Sequence, residues 1–179
     1  MRTPDDFYNR FIEPIEDRMI RSVWRITRNA QDAEDAMQTA LLVVWKRRDR
    51  VVAHAIPPAL ILKICVDTAH SIARRRARDR RRTEPPDHGN EPVDRAPSPW
   101  LGLARQEMSD EILAAIHRLS RRQAVAVTLR VFEELPYEQI AAAMDCAEAT
   151  ARKHVERALR QLRVVLAKHD PRRISRSER

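Results

Sequence analysis

The amino-acid sequence predicts an all-α protein: two small helical domains joined by a flexible linker, the second carrying a helix-turn-helix. Three observations support this. Apolar residues recur at three- and four-residue steps through both halves, the period of an amphipathic helix. No run alternates with the two-residue period of a half-buried strand. The two glycines, Gly89 and Gly102, fall in one stretch with Pro85, Pro86, Pro92, Pro97 and Pro99. Repeated proline breaks helix and strand alike. The expected organisation is therefore an N-terminal domain over 1–82, a Pro-rich linker over 83–106, a C-terminal domain over 107–168 and a basic tail over 169–179. Trp100, Leu101 and Leu103, at the end of the linker, are expected to dock on a domain.

In the first half, Phe7, Phe11, Ile15, Met19, Val23 and Ile26 form one apolar face from Asp5 to about Thr27. Pro14 must kink this helix or begin a second one. The next helix is expected to be capped by Asp32, with Asp35 suiting the positive end of its dipole. Ala33, Ala36, Met37, Ala40, Leu41, Val44 and Trp45 make its apolar stripe. After a loop containing Pro57 and Pro58, a third helix runs from about Ala59 to Arg82.

The second half begins with a helix from about Glu107 to His117, turning Ile112, Leu113 and Ile116 inward. Ser120 and Gln123 have capping-box spacing and open a helix to about Phe132. Pro136 suits the first position of a short helix ending near Met144. Asp145 and Cys146 make a turn, and a last helix runs from about Ala147 to Lys168.

The chain of 179 residues carries a net charge of +8, which favours a polyanionic partner, nucleic acid before anionic membrane. Lys46, Lys63, Lys153 and Lys168 are the only lysines, so the excess is almost all Arg. Codon bias in a GC-rich genome would raise Arg and Ala together. It would not cluster them, so the positions of the arginines carry the argument. No apolar run is long enough to span a bilayer, and the polar, acidic N-terminus is unlike a signal peptide. Cys65 and Cys146 stand far apart with no Cys or His at ligand spacing, so neither a zinc site nor a disulfide framework is expected. A reducing cytoplasm fits, with no metal and no cofactor.

Three segments carry chemistry. Pro136 to Val155 reads as a short helix, a tight turn and a basic second helix, the makings of a helix-turn-helix. Ala151 and Val155 would face the core, leaving Thr150, Arg152, Lys153 and His154 toward DNA, backed by Arg157; Arg and Lys reach guanine edges or phosphates. An ordinary hairpin with a solvated charged face is the plainer reading. Asp145 stands where such turns often have Gly, and Asp tolerates the left-handed backbone. The second segment, Arg74 to Arg82, places Arg74, Arg75, Arg76 and Arg78 in a dense positive field at a helix end, able to contact several phosphates. A solvated tail favoured by the helix dipole is its plainer reading. In the third, Glu34, Asp35 and Gln38 share a face of the Asp32 helix. An acidic patch on a basic protein suits a protein partner; taken alone, it is also a solvated helix start.

In chain order, the three segments resemble the bacterial RNA polymerase sigma factors of the extracytoplasmic-function type, from about Phe7 to Leu166 and excluding the linker. Asp32 to Trp45 is similar to that family's clamp-binding signature. Ala59 to Arg82 resembles its promoter-melting helix. Leu119-Ser-Arg-Arg-Gln and Leu135-Pro-Tyr-Glu-Gln-Ile-Ala resemble its C-terminal domain. Four departures stand out. Ala59-Leu60 replaces the usual Trp-Leu. Asp67 puts a charge where the family keeps a neutral amide. The loop His54 to Pro58 has no aromatic to stack a flipped base. Glu148-Ala-Thr-Ala replaces Val-Gly-Thr-Val.

The resemblance implies a dissociable, non-enzymatic initiation subunit of RNA polymerase. Asp32, Glu34, Asp35 and Gln38 would bind the clamp of the largest subunit. His54 and the arginines from Arg74 onward would open the minus-ten element. Thr150, Arg152, Lys153, His154 and Arg157 would read the minus-thirty-five element. Core RNA polymerase and promoter DNA are the implied partners, with an anti-sigma factor a further partner that the resemblance admits. Two other classes fit parts of the sequence. A helix-turn-helix regulator that does not bind core polymerase would hold a promoter stably by itself. A DNA enzyme would need a carboxylate cluster or an activated nucleophile, and the acids here are scattered or cap helices.

Overall fold

The computed structural model describes residues 4–83 and 110–168. The expected linker beyond Thr83, the docking of Trp100, Leu101 and Leu103, and the basic tail lie outside the described residues. Within them the fold is all-α, with no strand.

The first segment is irregular: α1 (Pro4–Phe7) runs into a π-turn (Tyr8–Ile12) and a 3-10 turn (Glu13–Ile15) before α2 (Glu16–Thr27). The π-turn inserts one extra residue. Ile12 therefore takes the buried place expected of Phe11, at 2% exposure, and Phe11 is left half-buried. Pro14 sits in the 3-10 turn, where its missing N–H breaks no α-helical bond. Beyond it, Met19, Val23 and Ile26 keep the expected helical period and are buried. Arg28, in the left-handed region, ends α2 with its N–H on the Trp24 carbonyl.

Asn29, not Asp32, caps α3 (Ala30–Lys46): its extended backbone lets the side chain accept from the Asp32 N–H. Asp32 lies inside the first turn, buried and paired with Arg76 at 2.9 Å. Ala36, Ala40 and Val44 form the buried seam of α3, flanked by half-buried Ala33, Met37 and Leu41. Trp45 ends the stripe exposed, with its ring edge-on to Phe7. The sequence reading missed α4 (Arg48–Ala53), a six-residue helix too short to show a period.

Helix α5 (Pro57–Thr83) starts at the prolines themselves, which occupy its first turn, where no intrahelical N–H is needed. Ala59, Leu60, Ile61, Leu62, Ile64, Cys65, Val66 and Ala69 are all buried, so its first half is enclosed all round. It packs against α2, α3 and α4 on one side and against α7 and α8 on the other.

The C-terminal helices are α6 (Asp110–Arg118), α7 (Arg121–Val131), α8 (Tyr137–Met144) and α9 (Glu148–Lys168). The capping box forms as expected, with Ser120 and Gln123 each bonding the other's backbone. Pro136 is the cap of α8 rather than its first residue. Ile116, Leu119, Ala124, Val127, Ala158 and Leu162 make a small core of their own. Val125, Ala126, Leu129, Leu135, Ile140 and Ala143 instead join the N-terminal residues in one continuous cluster.

Candidate nucleic-acid and polymerase interfaces

Helices α8 and α9 pack against each other, and Ala141, Ala143 and Ala151 are small and buried. Asp145 ends α8 with φ 55° and ψ 56°, and the Cys146 N–H returns to the Ala141 carbonyl at 3.1 Å. This is the left-handed turn that Gly often provides, here made by Asp. Ala151 and Val155 hold the inner face of α9, as their spacing predicted.

Outward, Arg152 is held in place twice. Its guanidinium lies 4.3 Å from the Tyr137 ring centroid and donates to Glu148 at 2.8 Å. Glu148, one of the departures from the family pattern, here orients an arginine from one turn earlier. Lys153 and Arg157 are exposed, and Thr150 is half-buried. His154 is half-buried with Nε2 unpartnered, and burial, then the charges of Arg122 and Arg157, lowers its pKa.

The arginines at the end of α5 divide into two sets. Arg75, Arg78 and Arg80 are exposed. Arg74 turns inward and donates to the His117 and Leu119 carbonyls at 3.0 and 2.8 Å, satisfying acceptors left bare where α6 ends. Arg76 is spent on Asp32. His54 is tied at both ring nitrogens: Nδ1 accepts from the Ile56 N–H at 3.0 Å, and Nε2 lies 3.1 Å from the Ala142 carbonyl of α8.

On α3, Glu34, Asp35 and Gln38 are exposed and share one face, while Asp32 is turned away beneath Arg76. Two features beside this face were not read from the sequence. An apolar groove of about 270 Å³ lies between α2 and α3, lined by Ile20, Trp24, Ala33 and Met37 with Glu34 and Gln38 at its edge. A second, of about 630 Å³, is bounded by Tyr8, Leu41, Leu42 and Trp45. Pattern alone put Trp24 and Trp45 in the interior or left them unassigned; the only available signal was a surplus of apolar residues over what one helix stripe can bury.

Among the described residues no cluster of His, Cys, Asp and Glu could hold a metal ion, and no helix is long and apolar enough to cross a membrane. Burial pushes the Cys65 thiol up to about 12, with the charge of Glu133 adding to it, so it remains a protonated core residue.

The family described as sigma-70, region 4 matches residues 109–162, the span of α6 to most of α9. The chain is 28% identical to the ECF RNA polymerase sigma factor SigE of Mycolicibacterium smegmatis over 90% of its own length and 62% of that protein's. It is 24% identical to the RNA polymerase sigma-E factor of Streptomyces avermitilis over 96% of this chain and 93% of that one. The chain is similar to the extracytoplasmic-function sigma factors. It thus spans under two thirds of the mycobacterial relative and nearly all of the streptomycete one. The fold is also that of the sigma factor RpoE of Bartonella quintana, solved in complex with the anti-sigma factor NepR: TM-score 0.56 and 21% identity, over 89% of this chain and 96% of that one. Within this chain, the region-4 match falls on the helices that build the helix-turn-helix, and α2 to α5 make up the part before it.

Proposed function

We propose that this chain is a dissociable subunit of RNA polymerase that directs the enzyme to specific promoters and starts transcription by recognising and melting them. One observation carries the reading: a helix-turn-helix with a basic outer face, Arg152, Lys153 and Arg157, belongs to the same chain as an exposed acidic helix face, Glu34, Asp35 and Gln38. The first is suited to the major groove of a duplex, the second to a protein. A regulator that acts on DNA alone has no use for the second.

In this reading residues 1–82 bind the clamp of the largest subunit through α3 and open the minus-ten element with the His54 loop and the exposed arginines that end α5. Asp32 supports the α3 face from within through Arg76, which it shares with the melting helix. Residues 107–168 read the minus-thirty-five element with Thr150, Arg152 and Lys153, with His154 and Arg157 beside them. Melting is driven by binding to single strands, and no covalent step is involved.

The test is a transcription assay with purified core polymerase. Promoter-specific transcripts should appear only when this chain is added, and the chain should co-elute with core enzyme. Stable promoter binding by the chain alone, with no affinity for core, would leave the regulator reading instead.

A further inference from the structure

The outer face of the helix-turn-helix holds a row of side chains that touch one another in turn. Arg130 of α7 lies 4.9 Å from the centre of the Tyr137 ring, and Arg152 of α9 lies 4.3 Å from it. Arg130 is fixed by donating to the Leu135 carbonyl at 3.1 Å. Arg152 donates to Glu148 at 2.8 Å. Tyr137 is packed against the core, so the row is anchored at its middle. Its outer end, Arg152 with Glu148, is about half exposed.

Stability does not explain that outer end. An ion pair so exposed, one turn apart on a helix, contributes little. A carboxylate suits the first turn of α9, where the helix dipole is positive. That accounts for an acid at 148, but not for an arginine held between it and an aromatic ring. Attraction to phosphates does not explain the pair either. Glu148 cancels the charge of Arg152, so together they add nothing to the field that exposed Lys153 and Arg157 supply. A neutral pair on a basic face acts through directed hydrogen bonds, and those distinguish one base edge from another.

The pair is placed to meet such edges, on the reading given under Proposed function. Ala151 and Val155 hold the inner face of α9, while Glu148 and Arg152 are exposed on its N-terminal turns. Those turns of a recognition helix enter the major groove. A guanidinium has five N–H donors, and with one on Glu148 enough remain for N7 and O6 of a guanine. A carboxylate has two oxygens, and Arg152 takes Oε1. The second oxygen can only accept. It fits an exocyclic amino group, that of cytosine above all, and is repelled by the acceptors on thymine and guanine. The bonded atoms of Arg152 and Glu148 are 2.8 Å apart, close to the step of about 3.4 Å between base pairs, so the two side chains address neighbouring pairs. The valine of the family pattern at this place offers no hydrogen bond.

We propose that Glu148 is a specificity-determining residue: its carboxylate selects a cytosine amino group at the base pair next to the guanine that Arg152 reads. Tyr137 is a positioning residue, which holds Arg152, and through it Glu148, in register with the two pairs.

The experiment selects bound sequences from duplexes with a randomised segment, using the full chain alone and the full chain with core polymerase. Wild type should prefer cytosine to thymine about 10-fold at one pair, and Arg152→Ala should abolish a guanine preference at the pair beside it. Glu148→Gln should move the first preference from cytosine to adenine, whose N6 and N7 a side-chain amide meets with both its groups. Glu148→Val should abolish the first preference and keep the guanine one. Tyr137→Leu should weaken both preferences, and Tyr137→Phe, which keeps the ring, should retain both. An unchanged profile in Glu148→Gln overturns the proposal, because Glu148 is then only a helix-start residue. A change confined to the pair that Arg152→Ala marks also overturns it, because Glu148 is then only a strut for Arg152. If the chain does not bind core, the promoter reading falls, and selection by the chain alone still judges Glu148. No sequence preference in either arm overturns both.

Discussion

Acidification should destabilise the packed structure through two buried histidines, His70 and His117. His70 is almost wholly buried, and burial, reinforced by the neighbouring charges of His117 and Arg74, depresses its pKa from 6.5 to about 3; only Asp67 opposes the shift. His117 falls to about 4, through burial and then Arg74, against a bond to the Ile26 backbone. Both are neutral when packed, and each has a ring nitrogen without a partner, Nδ1 of His70 and Nε2 of His117. The packed state therefore binds fewer protons than the unfolded one below about pH 6.5. Its stability is intact above that value and declines as pH falls toward the folded pKa values of about 4 and 3. By about pH 5 the loss is up to about 2 kcal/mol from each ring, roughly 4 kcal/mol together. For a chain of this size that is a melting-temperature drop of roughly 10 °C. Asp67 adds its own loss only at lower pH, because burial would raise its pKa but Arg121 and Lys63 outweigh burial and hold it below the ordinary 3.8. Thermal unfolding at about pH 7 and about pH 5, on wild type and on His70→Gln with His117→Gln, measures the effect. The double variant should be less stable at neutral pH but much less sensitive to acid. Equal sensitivity in the two proteins would refute the assignment of the acid response to these rings.

Three further outcomes are expected. Asp35→Arg, at an exposed position on α3, should weaken core-polymerase binding with helicity unchanged, as titration against core enzyme will report. Arg152→Ala should lower promoter-specific transcription by the equivalent of about 1–3 kcal/mol and relax specificity at one base pair, whereas Lys153→Ala should weaken all sequences alike and flatten the salt dependence; transcription from single-base-changed promoters separates the two. Ser120→Ala removes one half of the capping box and should cost about 1 kcal/mol in urea unfolding.

The helix periods, the capping box at Ser120 and the left-handed turn at Asp145 were legible in the sequence because each is a local property of a few residues. So was the inner face of α9, where Ala151 and Val155 repeat at the helical period. Features that depend on a distant partner were not. Arg74 reads as one more phosphate contact in a run of arginines, yet it bonds carbonyls at the end of α6. Asp32 reads as a cap, yet Asn29 does that work because the chain turns extended three residues earlier than the apolar stripe suggests. The shift from Phe11 to Ile12 follows from one extra residue in a π-turn, which no periodicity marks. Asp67 reads as a charge where the family keeps a neutral amide, and only Arg121, 54 residues away, supplies its counter-charge.

Because α5 contributes to the packing of both halves, the strength of this chain's hold on polymerase need not be set where the two proteins touch. Competition for a limited pool of core enzyme would then be tuned from Val125, Leu129 or Ile140, all buried in the core that they share with α2 and α3. A substitution there, silent in any map of polymerase contacts, would be felt across α5 by the helix that presents the acidic face, and would change this chain's rank in the queue.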